Sequence, residues 1–296
     1  MPDKPLHLGR PLAISRACTQ KLVFLLRLLL GLFYLIVNPV TAQQVDSKFV
    51  DVDGIQLEYV DIGSGQNTLV IESGVGMGVA YWQPLLSDLS KLNIRTVIYS
   101  RAGNGKSSAA DNVALAPSIH RLKQLLEAIN AGHNLILLGH SYGGLHVRAF
   151  AASYPDSVKG LLLLDPSHES FGSELSRFDK SWAERDALKL NTMMSGQSEW
   201  THLQFIYQQN TISDNGITNR IPTVIVTSSK LNESDWWIGH STEGKRLWRE
   251  LHQSLINKNP NSVHIVTDDT GHNVPLENKT LFFKSIDTLL SLVHGV

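Results

Sequence analysis

"LILLGHSYGGLHVRAFA" (135–151) changes character at its middle. It opens as a continuous apolar run, the pattern of a strand buried on both faces. From Leu145 onward the apolar residues return at helical spacing. Between the two stretches Gly139, Gly143 and Gly144 surround a single serine, Ser141. Glycine has no Cβ to crowd a neighbouring chain and adopts backbone angles that other residues avoid. A strand and a helix joined over so few residues imply a turn so tight that the side chain at its tip is pushed outward.

Outward from this turn, strands and helices alternate. "KFVDVDGIQLEYVDIG" (48–63) reads as two strands around Asp53-Gly54, a hairpin signal. "TLVIES" (68–73) is a buried strand that runs into the glycine-rich "GVGMG" (74–78). "YWQPLLSDLSKL" (81–92) has helical apolar spacing, and "IRTVIYS" (94–100) is another strand. "PSIHRLKQLLEAIN" (117–130) is an amphipathic helix with proline near its first turn, and "VKGLLLLD" (158–165) is the strand that follows the central pair. "IPTVIVTS" (221–228) and "SVHIVTD" (262–268) are later strands, with helices over "GKRLWRELHQSLINK" (244–258) and "LFFKSIDTLLSLV" (281–293).

The rhythm stops between 167 and about 219, where helical pieces occur without a strand. Such a stretch is too long for a simple loop, and it predicts a helical cap inserted after the strand ending at Asp165. The fold class expected is α/β: a mostly parallel, doubly wound sheet covered on both faces, carrying that insertion.

The N-terminus is compositionally separate. Lys4, Arg10, Arg16 and Lys21 precede the apolar "LLLGLFYLIV" (28–37), and small residues follow at Val40 and Ala42. This reads as a secretory signal over 1–42, cut after Ala42, ahead of a domain over 43–296. Arg27 leaves the apolar segment short for a span of about 20 residues; an uncleaved membrane anchor is the competing reading. The single cysteine, Cys18, falls inside this leader, so thiol chemistry and cysteine-ligated metals are excluded from the domain. Of the 296 residues, 42% are hydrophobic and 18% charged, as in ordinary globular proteins, and the net charge is −1. With no long basic block, nucleic acid is not the expected partner.

Gly139-His140-Ser141-Tyr142-Gly143 matches the G-x-S-x-G nucleophile elbow, in which strand and helix present a serine at a sharp turn. Together with "YSRAGNGKSS" (99–108), "LLLLDPSHE" (161–169) and "TGHNVPL" (270–276), it makes the chain after residue 48 resemble the α/β-hydrolase superfamily. The resemblance implies Ser141 as nucleophile and, after the last strand, His272 as its base. The acid is the least settled position. Relatives commonly place it after the strand that here is "PTVIVTS", where this chain reads Thr227-Ser228-Ser229-Lys230 without a carboxylate. A second arrangement in the superfamily points to Asp165; Glu233 and Asp235 remain alternatives, while Asp268 and Asp269 are expected only to shape the His272 loop.

The same resemblance implies an oxyanion hole from the amides of Tyr142 and Val75. Relatives carry His-Gly in the latter loop where this chain has Ser73-Gly74, so Glu72 or Ser73 must stabilise it differently. A phosphate-loop reading of "GVGMG" fails because no G-K-[ST] follows. Arg101 and Arg148 are expected to stabilise the fold, His168 and Glu169 to line the cleft mouth, and His140 to support the elbow. The implied activity is a serine hydrolase acting on a small-molecule ester with an apolar acyl group, using no metal or organic cofactor. Amide or peptide cleavage is the alternative. A non-catalytic ligand-binding protein is the rival from another class. Haloalkane dehalogenases and epoxide hydrolases differ at the elbow, where they carry aspartate in place of serine.

Overall fold

The computed structural model describes residues 46–231 and 236–295. The leader read over 1–42, and the alternative acids Glu233 and Asp235, lie outside the described residues.

The chain starts with a hairpin of β1 (Lys48–Val52) and β2 (Ile55–Ile62), antiparallel, with Val52 opposite Ile55. Only two residues connect them, so both must adopt positive φ: Asp53 at 53° and Gly54 at 81°. The remaining strands are β3 (Thr68–Glu72), β4 (Arg95–Tyr99), β5 (Leu135–His140), β6 (Val158–Leu164), β7 (Thr223–Ser228) and β8 (Ser262–Thr267). They form one eight-stranded sheet in the order β1-β2-β4-β3-β5-β6-β7-β8. β2 pairs antiparallel with β4, and every pairing from β4 to β8 is parallel.

The apolar runs follow from burial on both faces. Along β3, Val70 faces one core layer while Leu69 and Ile71 face the other, the period-two alternation of a strand. On the Val70 side pack α3 (Leu115–Ala128), through Leu122 and Leu126, and α4 (Gly143–Ser153), through Val147 and Phe150. The opposite side is covered by α1 (Val79–Trp82), α2 (Leu86–Leu89) and α10 (Lys279–His294), through Trp82, Leu86 and Phe282. The continuous helix expected over 81–92 is instead broken: a 3-10 turn over Gln83–Leu85 separates α1 from α2. Pro84 stands at the start of that turn. It has no N–H to extend the α-helical ladder.

Between β6 and β7 the chain forms α5 (Phe171–Phe178), α6 (Lys180–Met193) and α7 (Ser198–Gln209). α8 (Thr242–Ile256) and the short α9 (Val274–Glu277) follow β7 and β8. The register places Glu72 beside Gly139, His140 beside Leu164, and Leu164 beside Val226. Parallel strands thus end together, and the loops after β3, β5, β6 and β7 emerge along one edge. In open α/β sheets this carboxyl edge is where ligands bind.

Candidate active site

Ser141 sits at the tip of the turn from β5 into α4 with φ 54°, a left-handed conformation that costs a non-glycine residue about 1–3 kcal/mol. Its backbone is held on both sides: its amide donates to Leu164 O at 3.1 Å, and its carbonyl accepts from the amides of Gly144 and Ser167 at 2.9 Å. The flanking glycines are required by contact. A Cβ on Gly139 would stand 2.6 Å from Gly143 O, and one on Gly143 would overlap Glu72 O at the end of β3. Gly74 also lies close, since a Cβ there would be 3.4 Å from Ser141 Cβ. The loop after β3 therefore borders the serine. Among the described residues the Ser141 hydroxyl makes no hydrogen bond.

Asp165 and His272 are brought together. His272 Nδ1 and Asp165 Oδ2 are 2.7 Å apart. The other carboxylate oxygen, Oδ1, accepts from the Ser228 amide at 2.9 Å and from Trp248 Nε1 on α8 at 2.7 Å. Burial by itself would raise the pKa of Asp165, but the hydrogen bond to His272 and the electrostatic pull of that ring and of Lys245 outweigh it and hold the group at about 2. The carboxylate is thus ionised and accepts at both oxygens. Nδ1 of His272 must then carry the hydrogen, which leaves Nε2 with a free lone pair in the neutral ring. Asp165 itself has φ 42° immediately before Pro166, a second strained position on this edge.

His140, the residue before Ser141, reaches the same histidine. Its Nε2 lies 2.9 Å from the carbonyl of His272, and the two rings are 4.9 Å apart. Tyr81 stacks on the His140 ring, with centroids 5.6 Å apart and the rings nearly parallel. Burial, reinforced by His272, depresses His140 to about 3. Serine and imidazole, distant in sequence, are thereby placed in one neighbourhood at the sheet edge.

The loop after β3 is held by a buried charge cluster. Arg101 Nη1 donates to Glu72 Oε2 at 2.7 Å and to Ser73 O at 2.8 Å; Nη2 donates to Gly74 O at 2.8 Å. Arg101 Nε and Nη2 also grip both oxygens of Glu199, at 2.5 and 2.9 Å. Tyr99 OH donates to the free oxygen of Glu72, and Trp82 Nε1 donates to Ser73 Oγ at 2.9 Å. Burial raises the Glu72 carboxyl, whereas Arg101 overcomes the burial of Glu199 and lowers it. This is how the loop is built without the His-Gly of the relatives. Among the described residues, the amides of Val75 and Tyr142 donate to no protein acceptor.

Arg148 and its neighbours correct one expectation. His168 and Glu169 do not line an open mouth: His168 is buried, and Glu169 takes a bidentate bond from Arg148 at 2.8 and 2.9 Å. Arg148 Nε reaches Asp214 at 2.8 Å as well. The clustered aromatics divide. Trp182, Tyr207 and Trp237 pack around Phe171 and Trp248, while Phe205 remains exposed. Glu199, Trp248 and the Ser228 amide were not anticipated from the sequence.

Comparison with known proteins agrees with this architecture. The sequence pattern of the alpha/beta hydrolase fold matches residues 67–247. YqjL of Bacillus subtilis (strain 168) is 25% identical over 215 residues, 72% of this chain and 79% of its own length. A proline iminopeptidase of Saccharolobus solfataricus is 27% identical over 137 residues, 44% of each protein. The crystal structure of a bacterial membrane phospholipase A is similar in fold, with a TM-score of 0.62 and 18% identity over 95% of this chain and 100% of that one. The match extends through more than half of the sequence and through the strand, turn and helix around Ser141, and the protein belongs to the α/β-hydrolase family.

Proposed function

We propose that this hydrolase-family chain is a serine hydrolase that cleaves a small-molecule carboxylic ester through an acyl-enzyme. The single observation that carries the reading is the His272–Asp165 hydrogen bond at 2.7 Å, on an acid anchored by two further donors. That arrangement fixes the tautomer in which Nε2 can accept a proton, and a serine becomes nucleophilic only beside such a base.

In the first step Ser141 Oγ bonds to the ester carbonyl carbon while His272 Nε2 takes the hydroxyl proton. The oxyanion that forms is met by the Val75 and Tyr142 amides, donors aimed at charge that develops in the transition state. Collapse breaks the bond to the alkoxy group, which leaves as the alcohol with the proton from His272. Water then attacks the acyl-serine, giving its proton to the same nitrogen, and the acid is released with Ser141 restored. Asp165 stays ionised throughout and stabilises the imidazolium.

A fluorophosphonate probe tests the reading: the purified full chain becomes labelled, and Ser141→Ala does not. Equal labelling of both proteins would remove Ser141 as nucleophile. The relationship to a proline iminopeptidase gives amide cleavage a second place. A matched ester and amide bearing one acyl group distinguishes the two, the ester being turned over faster on the primary reading.

A further inference from the structure

α7 presents Glu199, His202, Leu203 and Ile206 at the spacing of one helix face. That face reaches the two proposed oxyanion residues, the Tyr142 side chain directly and Val75 through its neighbour Gly76. On one side Glu199 Oε2 accepts from the amide of Gly76 at 2.9 Å, one residue beyond Val75. The same carboxylate grips Arg101, which in turn holds the carbonyls of Ser73 and Gly74. On the other side the Tyr142 hydroxyl meets His202 Nδ1 at 2.9 Å, with Leu203 and Ile206 packed against the same residue.

The loop between these contacts needs an external support. Gly74, Gly76 and Gly78 alternate through it, and glycine loses more conformational freedom on ordering than any other residue. Gly76 is exposed and has φ 69°, so its amide is free to turn to solvent unless something accepts from it. The acceptor comes from the insertion rather than from the sheet. Glu199 and Arg101 are also nearly fully buried, at 4% and 3% side-chain exposure. A buried ion pair is weak evidence of stabilisation, since apolar replacements often do as well. Retaining one that also satisfies a loop amide is explained by position.

We propose that Glu199 is a positioning residue of the oxyanion hole: through Gly76 and Arg101, helix α7 holds the 73–76 loop with the Val75 amide toward the substrate oxygen. The inference rests on the reading of Ser141 as nucleophile. Its effect falls on the transition state, where the oxygen is charged, and little on ground-state binding.

The test is the rate of fluorophosphonate labelling of the full chain, resolved into a maximal rate and a half-saturating concentration. Glu199→Ala should lower the maximal rate roughly 10- to 100-fold, less than the 10²–10³ lost with a whole donor, while half-saturation stays within about threefold. Glu199→Gln keeps an acceptor for Gly76 but loses the charge that Arg101 binds, and should fall between wild type and Glu199→Ala. Should the alanine variant not fold, the glutamine variant is judged by the same split. Asp214→Asn loosens a different tie between insertion and core and should label at nearly the wild-type maximal rate. A wild-type maximal rate in the Glu199 variants, a loss confined to half-saturation, or an equal loss in Asp214→Asn would each overturn the proposal. Failure of the wild type to label would instead overturn the nucleophile assignment.

Discussion

The ring of His140 donates to the backbone carbonyl of His272 at 2.9 Å, across 132 positions of sequence. A carbonyl can only accept, so Nε2 of His140 carries the hydrogen and the ring is neutral, in keeping with its depression to about 3. The residue that precedes the elbow serine therefore fixes the backbone of the proposed base.

Replacing His140 by Phe keeps a ring of similar shape and leaves the His272 carbonyl without its donor. An unsatisfied buried acceptor costs about 1–3 kcal/mol, which for a chain of this size lowers the thermal midpoint by roughly 2–10 °C. Ester turnover should fall with it, about tenfold, as the His272 loop loses its tie. Calorimetry and a turnover assay check both; an unchanged midpoint with unchanged turnover would release His140 from this role.

Asp165→Asn should reduce turnover by about four orders of magnitude. The Ser228 amide and Trp248 Nε1 both donate to Oδ1, which obliges an asparagine to keep its carbonyl there. Its NH2 group then faces His272 Nδ1 and forces the hydrogen onto Nε2. A decrease smaller than tenfold would assign the acid elsewhere, with Glu233→Gln and Asp235→Asn the next variants to assay.

Trp248→Phe removes one of the two donors on Asp165 Oδ1 while retaining most of the packing against Phe171. Hydrogen bonds to charged groups contribute about 1.5–3 kcal/mol, so the folded chain should lose that order of stability. Part of the loss appears as a rise in the Asp165 pKa, readable as an acid limb of turnover displaced to higher pH. Denaturant titration and a pH–rate profile measure the two effects, and wild-type behaviour in both would show that Ser228 alone suffices.

Acid should destabilise the protein in two stages. Burial depresses His140, His146 and His252 to about 3 from the ordinary 6.5. Between those values the unfolded chain binds protons that the folded chain refuses, so stability falls as pH falls, by roughly 1.4 kcal/mol per pH unit for each ring. The carboxylates of Asp165 and Glu169 are held at about 2, below their ordinary 3.8 and 4.5. Their contribution is present above the ordinary values and is lost as pH drops toward 2. Urea midpoints should already decline as pH falls below the ordinary histidine value and is still above the ordinary carboxylate values, and His146→Gln should flatten that first limb. A level profile down to pH 4.5 would contradict the neutral, buried state of these rings.

What could be read from the sequence was local, and what could not was a contact between distant segments. Asp165 and His272 are singled out only by the resemblance to the superfamily, whereas Ser141 stands at a turn legible in a few residues. The Asp53-Gly54 hairpin is legible for the same reason. Glu199 meets Arg101 across 98 positions, and Trp248 meets Asp165 across 83, so no pattern of neighbours announces either pair. His168 and Glu169 looked suited to an open cleft because Arg148 and Asp214, which enclose Glu169, lie on other elements. In the helix expected over 81–92, apolar spacing outweighed Pro84, and the missing N–H prevailed in the fold.

The guanidinium of Arg148 grips Glu169 and Asp214 at once, close to where the chain departs from β6 and returns toward β7. The insertion is thus cinched at its base, like a bag drawn shut at the neck. Helices above such a knot are joined to the sheet at a single fastened base, so grafting a different insertion between the same two ties is expected to leave the sheet folded, which circular dichroism of the graft would check. A transplanted insertion would still have to bring a carboxylate for Arg101 and Gly76, which limits which donors can serve.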